Sequence, residues 1–127
     1  MSATFSRRSS PNVHLLKQRM DFQMAWVFLS IAGILEIGFA FAMKASLGFT
    51  RFIPSVLTVA TGLSSVILLS LSLRTLPVGT GYAVWTGIGA AGTAILGIIL
   101  LGDSASPTRI VCIAIILVGV IGLKLAS

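Results

Sequence analysis

The chain has 127 residues, of which 56% are hydrophobic and 9% charged, with a mean hydropathy of +1.05. Soluble domains carry about 25% charged residues, so the solvent of this chain is lipid, and a soluble enzyme is excluded. The net charge of +6 arises from basic residues at segment ends and in the N-terminal tail, a pattern of membrane flanks rather than of a nucleic-acid-binding face.

Residues 1–23 differ from all that follow. Arg7, Arg8, Lys17 and Arg19 stand among serines and Pro11, with no apolar run long enough to span or to form a signal-peptide core. The composition predicts a basic, disordered tail, and Met20 and Met24 offer alternative translation starts, so that the tail reads as a product of start-site choice. The four-helix domain occupies 24–127.

From Met24 to Met43 run 20 residues with one charge, enough to cross a hydrocarbon core of about 30 Å at 1.5 Å per residue. Span two covers about 53–73, with Pro54 in its first turn, where a missing N–H has no helical partner to lose. Span three covers about 79–101 and is rich in glycine; the segment Gly102-Asp103-Ser104-Ala105-Ser106-Pro107 closes it and caps the next helix. Span four covers about 108–125. Its apolar core, Ile110 to Leu123, is 14 residues, and Arg109 and Lys124 extend it by snorkelling to the headgroups. Cys112 lies within that apolar run and, as the single cysteine, forms no intrachain disulfide. Nothing in the chain implies a metal or cofactor.

Orientation follows the Lys/Arg bias of short loops. Without the tail, one face carries Arg74 and Lys124 and the other Lys44, Arg51 and Arg109. Two against three is nearly a tie, and copies inserted oppositely can pair as an antiparallel dimer. The tail raises the first face to six and favours its cytoplasmic placement.

An ionisable group in mid-span is a functional site by default, because inserting Asp, Lys or Arg there costs about 2.5 to 3.5 kcal/mol. Glu36 lies 12 residues after Met24. The bland alternative is a neutral carboxyl kept for helix packing. Against it stand the neighbours on the same helix face, Ala32, Gly33, Phe39 and Ala40, mostly small residues that leave room for a ligand or a partner helix. Span two carries a weakly polar stripe of Thr58, Thr61, Gly62, Ser65 and Ser72. Ser65 at its centre is placed either to bond Glu36 or to bond a carbonyl of its own helix.

In span three, Tyr82, Trp85, Gly89 and Gly92 fall on one stripe. The aromatics fit an interfacial belt or a cavity wall that holds a cation over a ring face; Trp85, eight residues past Pro77, lies deep for a belt. Gly87 and Gly89 permit either a mid-helix bend or close packing. Gly119 and Gly122 in span four offer a smooth patch for dimer contact. A membrane carboxyl that holds a proton and surrenders it to an arriving cation performs proton-coupled antiport. Guanidinium suits it, since its planar N–H fork donates paired bonds to carboxylates.

Ala32-Gly33-Ile34-Leu35-Glu36, Gly48-Phe49-Thr50-Arg51, Leu76-Pro77-Val78-Gly79-Thr80, Tyr82-Ala83-Val84-Trp85-Thr86-Gly87-Ile88-Gly89-Ala90 and Gly119-Val120-Ile121-Gly122-Leu123-Lys124 together resemble the small multidrug resistance family, in its guanidinium-exporter branch. The likeness runs from Met24 to Ser127. It implies an all-α membrane protein with four transmembrane helices per protomer, working as an antiparallel, dual-topology homodimer in the bacterial inner membrane and exporting guanidinium-type cations against protons. It further implies a shared proton and substrate site built on the two Glu36 carboxylates, with Ser65, Tyr82, Trp85 and Gly33 around them. Phe39 departs from the branch, which usually has tryptophan there, and so lacks an indole donor; Gly81, where alanine is common, is a milder change. Efflux of quaternary ammonium compounds is the alternative within the family. A rotor-type proteolipid or a structural membrane subunit is the alternative outside it, but rotor subunits pair the carboxylate with a glycine-rich helix in one hairpin, whereas here the glycines lie two spans later.

Four spans predict that reporters fused to the two termini give the same sidedness in intact cells, and that deleting residues 1–23 turns a fixed orientation into a mixed one. Termini on opposite sides would refute the span count.

Overall fold

The computed structural model describes residues 10–127. Four helices follow in order, α1 (Pro11–Ala45), α2 (Phe52–Ser72), α3 (Val78–Leu101) and α4 (Pro107–Leu125), each long and apolar enough to cross a membrane. Three of them match the sequence reading within a residue or two. The difference is α1, which begins at Pro11 rather than near Met24. Of the tail expected to lack order, residues 11–23 are helical, and the first nine lie outside the described residues. Pro11 occupies the first turn, where its fixed φ favours a helix start. Beyond it, a segment of Leu, Lys, Gln and Arg joins a helix already nucleated by its apolar part, and extending a helix needs no second nucleus.

The turns are set by local chemistry. At the end of α1, Ser46 is fully buried; its hydroxyl donates to the Met43 carbonyl at 2.7 Å and accepts from the Phe49 N–H at 3.1 Å. This bracket holds Leu47, Gly48 and Phe49 in consecutive left-handed conformations, with φ of 49°, 73° and 63°, a geometry that costs a non-glycine residue roughly 1–2 kcal/mol. Within the segment from Gly102 to Pro107, Gly102 ends α3 in the left-handed conformation, and Ser106 caps α4 by accepting the Arg109 N–H.

Packing is inverted relative to a soluble protein. Thr58, Ser46, Ser65 and Ser72 are among the largest fully buried side chains, while Ile34, Ile53, Ile67, Ile99 and Val118 are exposed. Between helices in lipid there is little hydrophobic drive, so contact depends on small residues that let backbones approach. α1 packs along α2 and α3, and α3 packs along α4. Trp26, Leu29 and Ala32 of α1 meet Leu69, Leu76 and Val84 in the core. Gly33 lies beneath Ile88, Gly92 beneath Ile37 and Gly87 beneath Val120. α4 is the outlier, with Ile113 alone buried. Lys124 reaches across to place its ammonium 5.5 Å from the Trp26 ring centroid, and none of the described residues packs against Gly119 or Gly122 within 4 Å of where a Cβ would stand.

A Cβ added at Gly33 would stand 2.6 Å from Ile88 Cγ2 and 2.8 Å from its Cβ. Gly33→Ala is therefore expected to destabilise the bundle by about 1–3 kcal/mol, read as a lower thermal midpoint in detergent. Added to Ile88→Ala, which removes the Cγ2 contact but keeps the Cβ one, the same change should cost less, and a full additive loss would place the strain elsewhere.

Candidate functional site

Glu36 sits in the middle of the apolar part of α1, half-buried, on the face that turns toward α2 and α3. Its side chain lies against α3 at Gly89, where a Cβ would come within 2.7 Å of Glu36 Cγ. Any larger residue at 89 would push the carboxyl away. Gly33, one turn earlier on α1, is buried beneath Ile88 and brings the α1 and α3 backbones together.

The hydroxyl of Ser65 organises the polar contacts. It is fully buried, donates to the Ala32 carbonyl at 2.7 Å, accepts the Trp85 Nε1–H at 2.9 Å, and stands 3.4 Å from Glu36 Oε2. Its neighbours on α2 behave differently: Thr58, Thr61 and Ser64 all bond carbonyls one turn back on their own helix. Of the two partners the sequence left open for Ser65, the structure gives neither alone, because the acceptor at short range is a carbonyl of α1. At 3.4 Å the contact with Glu36 is longer than the usual O–H···O range of about 2.5–3.0 Å. It is a loose contact beside two firm ones.

Trp85 is half-buried and Tyr82 exposed, their rings meeting edge-on with centroids 5.2 Å apart at 60°. Thr86 donates to the Tyr82 carbonyl at 2.5 Å. α1, α2 and α3 thus each contribute to one cluster, Glu36 with Ser65 and Trp85, and Tyr82 extends it outward. Phe39 is placed differently. Its ring lies over Gly62 of α2, with ring carbons 2.8 and 2.9 Å from where a Cβ would stand, filling the gap between α1 and α2. Gly87 and Gly89 are both sites of close packing, against Val120 and Glu36 respectively, within an unbroken α3.

On its open side, Glu36 lines a cavity of about 440 Å³ walled by Ala40, Thr86, Gly89 and Thr93, which extends to Asp103 and Arg109 at the α3–α4 turn. Neither of these last two residues stands out in the sequence as part of the site. The signal was the spacing of Thr86, Gly89, Thr93 and Gly97, three, four and four residues apart, which puts a column of small residues on one helix face and leaves an open trough beside it. Among the described residues no group of three or more His, Cys, Asp or Glu is arranged to hold a metal ion.

Comparison with known proteins gives a consistent picture. Residues 24–116 match the family model described as Small Multidrug Resistance protein. A protein named Guanidinium exporter from Yersinia pseudotuberculosis is 58% identical over 104 residues, 82% of this chain and all of that protein. Those of the same name from Citrobacter freundii and from Salmonella typhimurium strain LT2 are 55% and 52% identical over 104 residues, 82% of this chain and 99% of theirs. With four span-forming helices, a mid-membrane carboxyl and a family match over most of its length, this multi-pass membrane protein belongs to the small multidrug resistance family.

Proposed function

We propose that the chain exports guanidinium and small guanidinyl cations across the inner membrane in exchange for protons, as an antiparallel homodimer in which the two Glu36 carboxyls form one shared site. The observation that carries this reading is a single carboxyl at mid-membrane that opens onto a cavity on one side and touches a fixed hydroxyl on the other. The relatives' name supplies the cation. The uncovered face of α4 and the exposed Gly119 and Gly122 support a second copy as the partner, since apolar helices with small residues outward pack against one another in lipid.

The bonding of Ser65 suggests how proton and cation exchange. A hydroxyl has one hydrogen and two acceptor positions. With Glu36 protonated, Ser65 gives its hydrogen to Ala32 and accepts from both Trp85 and the carboxyl O–H, so every valence is used. With Glu36 ionised, the carboxylate has only acceptors to offer. Either Ser65 turns its hydrogen away from Ala32, or an arriving planar cation supplies the donors. A guanidinium ion has the fork to bond carboxylates in pairs, and its charge takes the place of the proton's. Tyr82 and Trp85 then present ring faces to the bound cation. Phe39 lacks the N–H of an indole, so it bounds the site by shape alone; this is where a wider range of lipophilic cations, quaternary ammonium among them, gains access if selectivity is loose.

Purified protein in liposomes is expected to take up labelled guanidinium against a trapped pool, to move protons in the opposite direction, and to prefer guanidinium over a bulky quaternary ammonium ion in the same assay. Uptake no greater than that of empty liposomes sinks the proposal. Glu36→Gln, equal in size and able to bond Ser65, should insert and purify normally yet carry no coupled flux. Ser65→Ala removes the hydroxyl that holds the Trp85 N–H beside the carboxyl and should raise the guanidinium KM about tenfold, the cost of roughly one hydrogen bond. An unchanged KM would remove Ser65 from the binding step.

A further inference from the structure

The chain has three acidic residues, Asp21, Glu36 and Asp103, and two of them line the same cavity. Glu36 lies at its inner end against Gly89, and Asp103 lies at its outer end against Gly97, where a Cβ would collide with the carboxylate. Gly89 and Gly97 are eight residues apart on α3, about 12 Å along the helix. Between the two carboxylates the cavity is lined on α3 by Thr86, Gly89, Ala90, Thr93 and Ala94, none larger than threonine.

Asp103 is held from the backbone side. Its N–H donates to the Gly97 carbonyl at 3.2 Å, directly after the left-handed Gly102, and the absence of a side chain at Gly97 lets the carboxylate dock on α3. Among the described residues the one cation paired with it is Arg109, in the first turn of α4, with Nη2 at 3.6 Å from Oδ2 and both side chains about a third exposed, 39% and 35%. Charge-assisted N–H···O bonds run at about 2.7–2.9 Å and paired forks are the strong form. A single contact at 3.6 Å between exposed groups is weakly held. The carboxylate is thus fixed while its bonding capacity is barely used.

The head group of Arg109 is itself a guanidinium. The protein therefore already places a guanidinium opposite a carboxylate, in the same cavity as Glu36 and closer to the aqueous side. A free guanidinium ion entering there meets a preset acceptor whose present occupant is tethered, singly bonded and able to swing away on its own side chain.

We propose that Asp103 is a second, outer binding position for a guanidinium cation at the mouth of the Glu36 cavity, with Arg109 as a tethered occupant that the free ion displaces on its way in or out. The proposal rests on the exporter reading for its substrate, but it concerns a carboxylate that reading does not use. Its consequence is a two-step path in which the cation exchanges with a chemical copy of itself before it reaches the proton-bearing carboxyl.

The test is binding of ¹⁵N-labelled guanidinium to the purified full chain in detergent, followed by ligand NMR, which detects weak association. In a Glu36→Gln background the inner site is silent and residual binding reports the outer one. Arg109→Gln in that background removes the competitor and should tighten binding about fivefold. Asp103→Asn in the same background should weaken it about tenfold, the equivalent of one lost charge-assisted bond. A variant that merely loosens the α3–α4 turn cannot tighten binding, so the opposed signs separate a ligand site from a structural clasp. Equal binding by all three proteins, or weakening by both changes, overturns the outer site. The exporter reading fails separately: if the unmodified chain binds no more guanidinium than Glu36→Gln, Glu36 is not the inner site, whatever the Asp103 and Arg109 variants do.

Discussion

Hydrocarbon offers a carboxyl group no hydrogen-bond partner, so Glu36 has to find its partners inside the protein. That requirement organises the surroundings. It explains why α2, where Thr58, Thr61 and Ser64 bond their own backbone, turns one hydroxyl across to α1. It explains why α3 brings an indole N–H to that same oxygen. It also explains why glycine stands where the methylenes of Glu36 rest on α3. Remove the carboxyl, and these three features lose their common reason.

The same absence of water accounts for the rest of the packing. Where a soluble core is assembled mainly from large aliphatic side chains, this bundle buries serine, threonine, alanine and glycine beside a few large residues such as Leu29 and Val84, and turns most of its isoleucines and valines outward. Small residues at the crossings allow α1 to lie close to α3 at Gly33 and Gly92, and α3 close to α4 at Gly87. The polar side chains so enclosed are satisfied by bonds within the protein, with Trp26 Nε1 the one buried side-chain polar atom lacking a partner among the described residues. A bundle held by contact rather than by hydrophobic pressure leaves room for a cavity of this size beside a charged group.

Much of this is legible in the sequence, and the parts that are not share a cause. Span limits follow from apolar run length and from Pro54, Pro77, Gly102 and Pro107, which punctuate the chain at or near the helix ends. Glu36 is conspicuous because it is the single charge in its run. What periodicity along one helix cannot give is the pairing of helices. Periodicity puts Ser65 on the weakly polar stripe of α2, but its acceptor, the Ala32 carbonyl, is a backbone atom and leaves no mark in the sequence. Asp103 and Arg109 read as a capping loop and a snorkelling flank, and only the run of small residues down α3 brings them to the Glu36 cavity. Residues 11–23 are helical although their composition reads as a tail, because a polar composition argues against a span without arguing against a helix. Leu47 and Phe49 carry no sequence signal for the left-handed region, since the buried Ser46 that imposes it acts through its side chain.

The unbroken length of α1 has a mechanical meaning. Pro11 and Glu36 belong to one rod, separated by 25 residues or about 38 Å. A ten-degree inclination of that rod about the carboxyl displaces its outer tip by roughly 6–7 Å at that length. The polar end beyond the bilayer is thus a pointer coupled rigidly to the acid group within it, so the attitude of the buried residue can be read, or resisted, from the water.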